Sequence, residues 1–453
     1  MSAVAASPTL GVEDDLDAVR ALQRKLYRAA KADPGRRFHA LYDKVHRRDV
    51  LERAWVQVWR NGGAPGIDRI TIADVERQGI SVLLDELEAE LRERRFTPLP
   101  ARRVYIPKPG RDELRPLSIP SIRDRVVQAA LKIVLEPIFE ADMLACSFGF
   151  RPKRSAHDAL QVVIDESFGG QRWVVETDIA NCFTAIPHDG LMSALSERIC
   201  DRNVLALLHA LLRGGVMEDG AVRRPVSGTP QGGVISPLLC NVYLNGLDRA
   251  WRPGWGRLVR YADDLLVMCR SRGQAHAALA KLTTLLQGLG LEPKPEKTRI
   301  VQLVEGEPGF DFLGFHHRLV RSRPRRGTGG FVYLARWPSQ RAVQHARDRI
   351  RFMTMRARLV APVDQVVAEV NRFLRGWTGY FRFGNSAWVF DKISSYALTR
   401  IALFTAKQHQ RSRSWGFAQV YRSPVNLGLV SLNGIVVAPR PNRPWRAPAA
   451  HRR

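Results

Sequence analysis

Apolar residues recur along this chain with two different periods. Leu16, Val19, Leu22 and Leu26 return at near-helical spacing behind Glu13-Asp14-Asp15, an acidic start suited to a helix N-terminus. Val50, Leu51, Ala54, Trp55, Val58 and Trp59 do the same behind Asp49, which is placed to cap a second helix. Val126, Val127, Ala130, Leu131, Val134 and Leu135 form a third stripe after Arg123-Asp124-Arg125. Val363, Val366, Val367, Val370, Phe373, Leu374 and Trp377 form a fourth, with Pro362 near its start. Between these stripes lie β-rich runs. Trp173-Val174-Val175-Glu176-Thr177-Asp178 ends on a carboxylate. Phe310, Phe312 and Phe315 alternate with Asp311, Leu313 and Gly314, a strand pattern.

One segment joins pattern to chemistry. In Leu258-Val259-Arg260-Tyr261-Ala262-Asp263-Asp264-Leu265-Leu266-Val267-Met268, two apolar runs flank a polar tip, which predicts a β-hairpin with Asp263 and Asp264 at its turn. Two adjacent carboxylates between buried strands are costly unless a cation sits on them. Asp178 arrives at the end of a similar run, with Phe183 five residues later. Two strands that each present a carboxylate at one sheet edge can hold two hard cations, which sit about 3.5–4 Å apart in sites that clamp an in-line phosphoryl transfer.

Charge sharpens the picture. The chain has 453 residues and a formal net charge of +26, the electrostatic footprint of a protein that works on a phosphate backbone. No apolar stretch approaches the ~18 residues needed to span a membrane. The start Met1-Ser2-Ala3-Val4-Ala5-Ala6 lacks the basic n-region of a secretory signal. Cys146, Cys182, Cys200, Cys240 and Cys269 show no CxxC spacing, which argues against a zinc site or a disulfide framework and fits reduced thiols in the cytoplasm.

Tyr261-Ala262-Asp263-Asp264 between apolar runs, with the upstream Asp178-(x)4-Phe183, resembles the palm of reverse transcriptases. Further blocks resemble group II intron reverse transcriptase/maturases of bacterial type, in the same order. They are Asn61-Gly62-Gly63-Ala64-Pro65-Gly66-Ile67-Asp68, Tyr105-Ile106-Pro107-Lys108-Pro109 with Leu114-Arg115-Pro116-Leu117-Ser118-Ile119-Pro120, and Ser147-Phe148-Gly149-Phe150-Arg151-Pro152. Gly228-Thr229-Pro230-Gln231-Gly232-Gly233, Leu291-Glu292-Pro293-Lys294-Pro295-Glu296-Lys297-Thr298 and Phe312-Leu313-Gly314-Phe315 continue the series, and Gly376-Trp377-Thr378-Gly379-Tyr380-Phe381 is close to a maturase motif. Thr184 stands where the family often carries a second acidic residue. With no cysteine after Cys269, the HNH-type endonuclease of many relatives is expected to be absent.

The resemblance implies an α/β (α+β) right-hand polymerase, with fingers and a mixed or antiparallel palm sheet followed by an α-helical thumb. It divides the chain into a helical extension (1–60), fingers and palm (61–317), a basic linker or hairpin (318–335), a thumb or maturase domain (336–430) and a basic, disordered tail (431–453). It implies RNA-directed DNA synthesis from dNTPs with two Mg²⁺ ions, Mn²⁺ as substitute, and Asp178, Asp263, Asp264 and the main chain of Ile179 around them. Lys108, Arg115, Phe183, Gln231 and Lys297 are expected at the nucleotide, with Phe183 under the sugar and Lys297 near the pyrophosphate. Arg151, Phe312, Gly314, Arg372, Arg375 and Trp377 are expected at RNA or primer. The implied partners are structured intron RNA, an RNA template and a DNA primer or target, with no membrane and an open oligomeric state. A domesticated enzyme in phage defence or a CRISPR-linked locus, or a splicing-only maturase, would share most of these features.

Overall fold

The computed structural model describes residues 12–107, 114–218, 221–223, 227–229, 232–322, 330–422 and 426–437. Lys108, Gln231, the first eleven residues and most of the expected tail therefore lie outside the described residues. The two N-terminal stripes form helices Val12–Ala32 and Arg48–Asn61. Asp49 does not cap the second one. Arg47 occupies that position with extended backbone, and Asp49 sits in the first turn, where it accepts from the Arg47 guanidinium at 3.0 and 2.6 Å.

Strands β1 (Ala101–Pro107) and β2 (Leu114–Ile119) pair antiparallel as a long fingers hairpin. Helix Ile122–Glu140 follows, capped by Ser121, and is buried along nearly its whole length. Helix Ala156–Phe168 leads into β3 (Trp173–Asp178). The short β4 (Val216–Glu218) and β5 (Ala221–Arg223) extend the fingers sheet, in the order β2-β1-β4-β5. Helix Ser236–Ala250 precedes the hairpin of β6 (Arg257–Tyr261) and β7 (Asp264–Cys269). Helix Arg272–Gly288 and β8 (Arg299–Gln302) complete the palm, whose antiparallel sheet has the order β6-β7-β3-β8.

The palm strands read as continuous apolar runs because both faces of the sheet are covered. Val175, Leu258, Leu265, Val267 and Cys269 join the core shared with the N-terminal helices and helix Ile122–Glu140. Their neighbours Val174, Val259, Leu266 and Met268 point the other way, into a core shared with helix Ala156–Phe168 and the C-terminal helices. A third sheet connects the two regions. Strands β9 (Phe310–Phe312), β10 (Phe315–Arg321) and β11 (Val332–Pro338) pair antiparallel, so the described parts of the segment expected as a linker or hairpin lie largely in two strands of this sheet, and residues 323–329 lie outside the described residues. Helices Gln340–Met353, Val363–Phe381, Ala387–Gln408 and Arg413–Arg422 complete the thumb. Among the described residues no helix is long and apolar enough to cross a membrane.

The β10 strand carries a buried histidine into this core. The His317 ring is fully buried and stacks on Phe310 at 4.8 Å, with Arg336 directly opposite on β11. Neither ring nitrogen finds a hydrogen-bond partner among the described residues. Burial, and then the Arg336 charge, hold its pKa well below the usual imidazole range. The unfolded chain takes up this proton near pH ~6.5 and the folded chain only at lower pH. The stability contribution is therefore complete above that pH and falls as the pH drops below it, by up to ~1.4 kcal/mol per pH unit. Urea unfolding at pH 7.5 and pH 5.5 should show wild type losing more stability on acidification than His317→Leu.

Candidate active site

The cleft is built at the end of the palm sheet where β3 and the β6–β7 hairpin meet. Asp178 and Asp264 are direct cross-strand partners in the β3–β7 ladder, so their carboxylates share one sheet edge. Asp263 occupies the two-residue turn with Ala262, and its carbonyl accepts from Ile179 N at 3.1 Å, which ties the turn to the end of β3. Ala262 is left-handed, with φ at 58°. The turn keeps this shape because three groups close around it. Arg260 Nη1 donates to the Ala262 carbonyl at 3.2 Å and to Asn241 Oδ1 at 2.9 Å, and Asn241 Nδ2 donates to the Gly149 carbonyl at 2.8 Å. A Cβ on Gly149 would meet Ala262 N at 2.5 Å, so only glycine fits beneath the turn. The Arg260 guanidinium is itself held by Asp248, through Nε at 2.8 Å and Nη2 at 2.5 Å, and both side chains are fully buried.

Crowding of the carboxylates sets the electrostatics. Burial, with Asp178 and Asp263 alongside, pushes Asp264 up to about 7, and its protonated form shares a hydrogen bond with Asp178. Burial and Asp178 also raise Asp263. The Lys297 ammonium pairs with Asp178. Among the described residues no three His, Cys, Asp or Glu side chains are drawn together as a ready-made metal cage. The donor set nonetheless fits hard divalent cations: three acidic oxygen donors, partly desolvated, with more negative charge than Lys297 offsets.

A cavity of ≈ 560 Å³ opens over these carboxylates, with Arg115, Phe183 and Lys297 in its walls. Phe183 is half-buried beside Asp178, and Arg115 is exposed toward the aspartates; Lys108 and Gln231 lie outside the described residues. Of the other described fingers arginines, Arg102 donates to the Pro65 carbonyl and Arg103 to Ser118, so both are spent on the fold. Ile179 stands next to Asp178, with its side chain buried.

Three expected RNA or primer contacts are instead internal. Arg151 is buried, doubly paired with Glu140 at 3.0 and 2.6 Å, and donates to the Leu144 and Ser147 carbonyls. Its charge is consumed locally. Trp377 is 7% exposed and packs on Phe381 and Phe390 in the thumb core. Phe312 is buried, and it also borders a second cavity that reaches Asp178 and Asp264. Gly314 lines that cavity too, in a turn with φ at 78°. Arg372 and Arg375 are exposed on the thumb. Arg260, Asp248 and Asn241 escaped the sequence reading. The signal was a lone arginine inside an otherwise apolar strand.

A carboxylate-edged palm flanked by fingers and a helical thumb defines a right-hand polymerase. Comparison with known proteins narrows the class. Residues 106–317 match the reverse transcriptase (RNA-dependent DNA polymerase) family, and residues 343–421 match the group II intron, maturase-specific domain. Protein YkfC of Escherichia coli (strain K12) is 35% identical over 350 residues, covering 68% of this chain and 89% of that protein. Group II intron-encoded protein LtrA of Lactococcus lactis subsp. cremoris is 38% identical over 214 residues, 47% of this chain. The putative COX1/OXI3 intron 1 protein of Saccharomyces cerevisiae is 38% identical over 288 residues, 51% of this chain. The matches span about a third of the length of these last two relatives, 35% and 34%. The chain belongs to the group II intron reverse transcriptase/maturase family.

The Arg260–Asp248 pair under the turn gives a direct test of the site's foundation. Removing one partner leaves the other as an uncompensated buried charge, so Arg260→Met should cost about 3–5 kcal/mol in urea unfolding. Adding Asp248→Leu to that variant should recover most of the loss.

Proposed function

We propose that this chain extends a DNA primer on an RNA template with dNTPs, and that its helical domain holds structured intron RNA to assist splicing and mobility. One observation carries this reading: Asp178, Asp263 and Asp264 meet at one sheet edge, beneath a cavity walled by Arg115, Phe183 and Lys297. Asp178 and Asp263, with the Ile179 carbonyl, would hold two Mg²⁺ ions, for which Mn²⁺ substitutes, and Asp264 supports them. When bound, such ions lower the pKa of an attacking hydroxyl and stabilise the leaving oxygens.

The chain's own residues do the rest. Arg115, with Lys108, offsets the triphosphate charge. Lys297 sits on the leaving-group side, and Gln231 contacts the nucleotide. The Phe183 ring crowds the sugar's 2′ position and favours dNTPs. The Leu313–Gly314 turn faces the same carboxylates and would hold the primer end through its main chain. Arg372 and Arg375, with Arg382, present fixed positive charge on the thumb for duplex and structured RNA, which is recognised by shape and phosphate. The protein would act in the bacterial cytoplasm as a ribonucleoprotein. Intact aspartates favour this reading over a splicing-only maturase.

Primer extension on poly-rA/oligo-dT with Mg²⁺ tests it. Wild type should make DNA, and Asp263→Asn should make none while its affinity for structured RNA changes less than about twofold, since phosphate contacts dominate that affinity. DNA synthesis by Asp263→Asn at the wild-type rate would end the proposal. Replacing Arg372 and Arg375 with Gln should do the reverse. RNA binding should weaken, and the slope of log affinity against log salt should flatten by about 1.4–1.8, each phosphate contact being worth about 0.7–0.9.

A further inference from the structure

The turn that faces the carboxylates is held from outside the palm. Leu313 and Gly314 join β9 to β10, and both have positive φ, 49° and 78°. That is the pattern of a type I′ turn, which suits Gly314 but disfavours a leucine at the first position. Both carbonyls of the turn are taken by thumb residues. Tyr380 Oη donates to the Leu313 carbonyl at 2.9 Å, and Ser339 N, at the start of helix Gln340–Met353, donates to the Gly314 carbonyl at 2.9 Å. For the N–H groups of Leu313 and Gly314 no acceptor is found among the described residues. Successive N–H groups in such a turn form a concavity suited to an anion. They border the ≈ 440 Å³ cavity that also contains Asp178, Asp264 and Lys297.

Tyr380 is fixed in turn. It lies in the last turn of helix Val363–Phe381, its carbonyl is 2.8 Å from His157 Nε2 on helix Ala156–Phe168, and its ring packs on His157 and Phe315. The hydroxyl thus spans from the helical domain to the primer-facing turn, while the same residue's main chain is moored to the palm.

We propose that Tyr380 is a positioning residue for polymerisation: its hydroxyl latches the Leu313–Gly314 turn, so that the primer end is aligned with the aspartates only while the helical domain is docked. This rests on the reading of the cleft as a primer-extending site. It adds that a residue of the maturase-specific domain sets the geometry of DNA synthesis without touching substrate.

The test is Tyr380→Phe, which keeps the ring and deletes one hydrogen bond. Two readouts are paired: steady-state extension, and binding of a recessed primer–template followed by 2-aminopurine fluorescence at the primer terminus. Loss of one such bond predicts a rise of about three- to tenfold in KM for primer–template. KM for dNTP, affinity for blunt duplex RNA and the thermal midpoint should stay within experimental scatter. Adding Leu313→Asn to Tyr380→Phe creates Asn-Gly, the pair that type I′ turns favour, and should recover most of the lost primer affinity. An equal rise in KM for primer and dNTP, or no recovery in the double variant, would overturn the proposal. If the wild type fails to extend any primer, the polymerase reading falls. The fluorescence of the recessed end then still decides the latch, which is refuted if wild type and Tyr380→Phe bind that end alike.

Discussion

The cleft depends on one register. Asp178 lies opposite Asp264 in the β3–β7 ladder, and the side-chain period of a strand is two, so a slip of one residue would turn either carboxylate to the other face. The register has to be enforced against the repulsion it creates, because burial and like charge already hold Asp264 near neutrality. The apolar neighbours supply that force. Leu265 and Val267 belong to one core and Leu266 and Met268 to the other, so any slip would exchange residues between two differently shaped cavities. A sheet buried on one face only would oppose a slip with half as much packing.

The hairpin turn adds a second restraint, of a different kind. Arg260 is a full charge in the palm interior, neutralised by Asp248 and spending a remaining donor on the Ala262 carbonyl. Such a pair adds little net stability compared with apolar packing, because desolvating both ions offsets their attraction. Its geometric consequence is larger. The guanidinium fork has one orientation that satisfies Asp248, Asn241 and Ala262 together, and that orientation fixes the left-handed residue next to Asp263. Gly149 lets the turn settle onto the adjoining loop. The aspartates are thus carried on a rigid platform, while the residues that would meet a changing nucleotide, Arg115 and Phe183, stand at the cavity wall.

Much of this was legible in the sequence, for identifiable reasons. The helices appear as 3.6-residue stripes, the palm strands as short apolar runs, and the three aspartates as charges at the ends of those runs. What the sequence could not show was where each charge is spent. Arg151, in a motif that reads as basic, is consumed by Glu140 eleven residues earlier in the chain. Trp377 sits on the apolar stripe of its helix, so its own periodicity already placed it in the core rather than on RNA. Arg372 and Arg375 fall off that stripe and are exposed. The Arg260–Asp248 and Tyr380–Leu313 contacts are side-chain matters that no local period encodes, the latter spanning 67 residues of chain.

The shared core also changes how the two halves of the molecule are understood. The family names a polymerase domain and a maturase domain, which suggests two machines on one chain. Here Phe315, His157, Tyr380 and Phe381 pack ring against ring across that division, and one apolar cluster runs from Val174 in the palm to Ile401 in the thumb. Interiors packed this closely are bistable rather than continuously deformable. A load applied to the thumb by bound RNA would therefore leave the β9–β10 turn in place or shift it as a unit. Binding and synthesis are then linked through packing, and the strength of that link is set by the few polar contacts, at Tyr380 and Ser339, that tie the turn to the helical side.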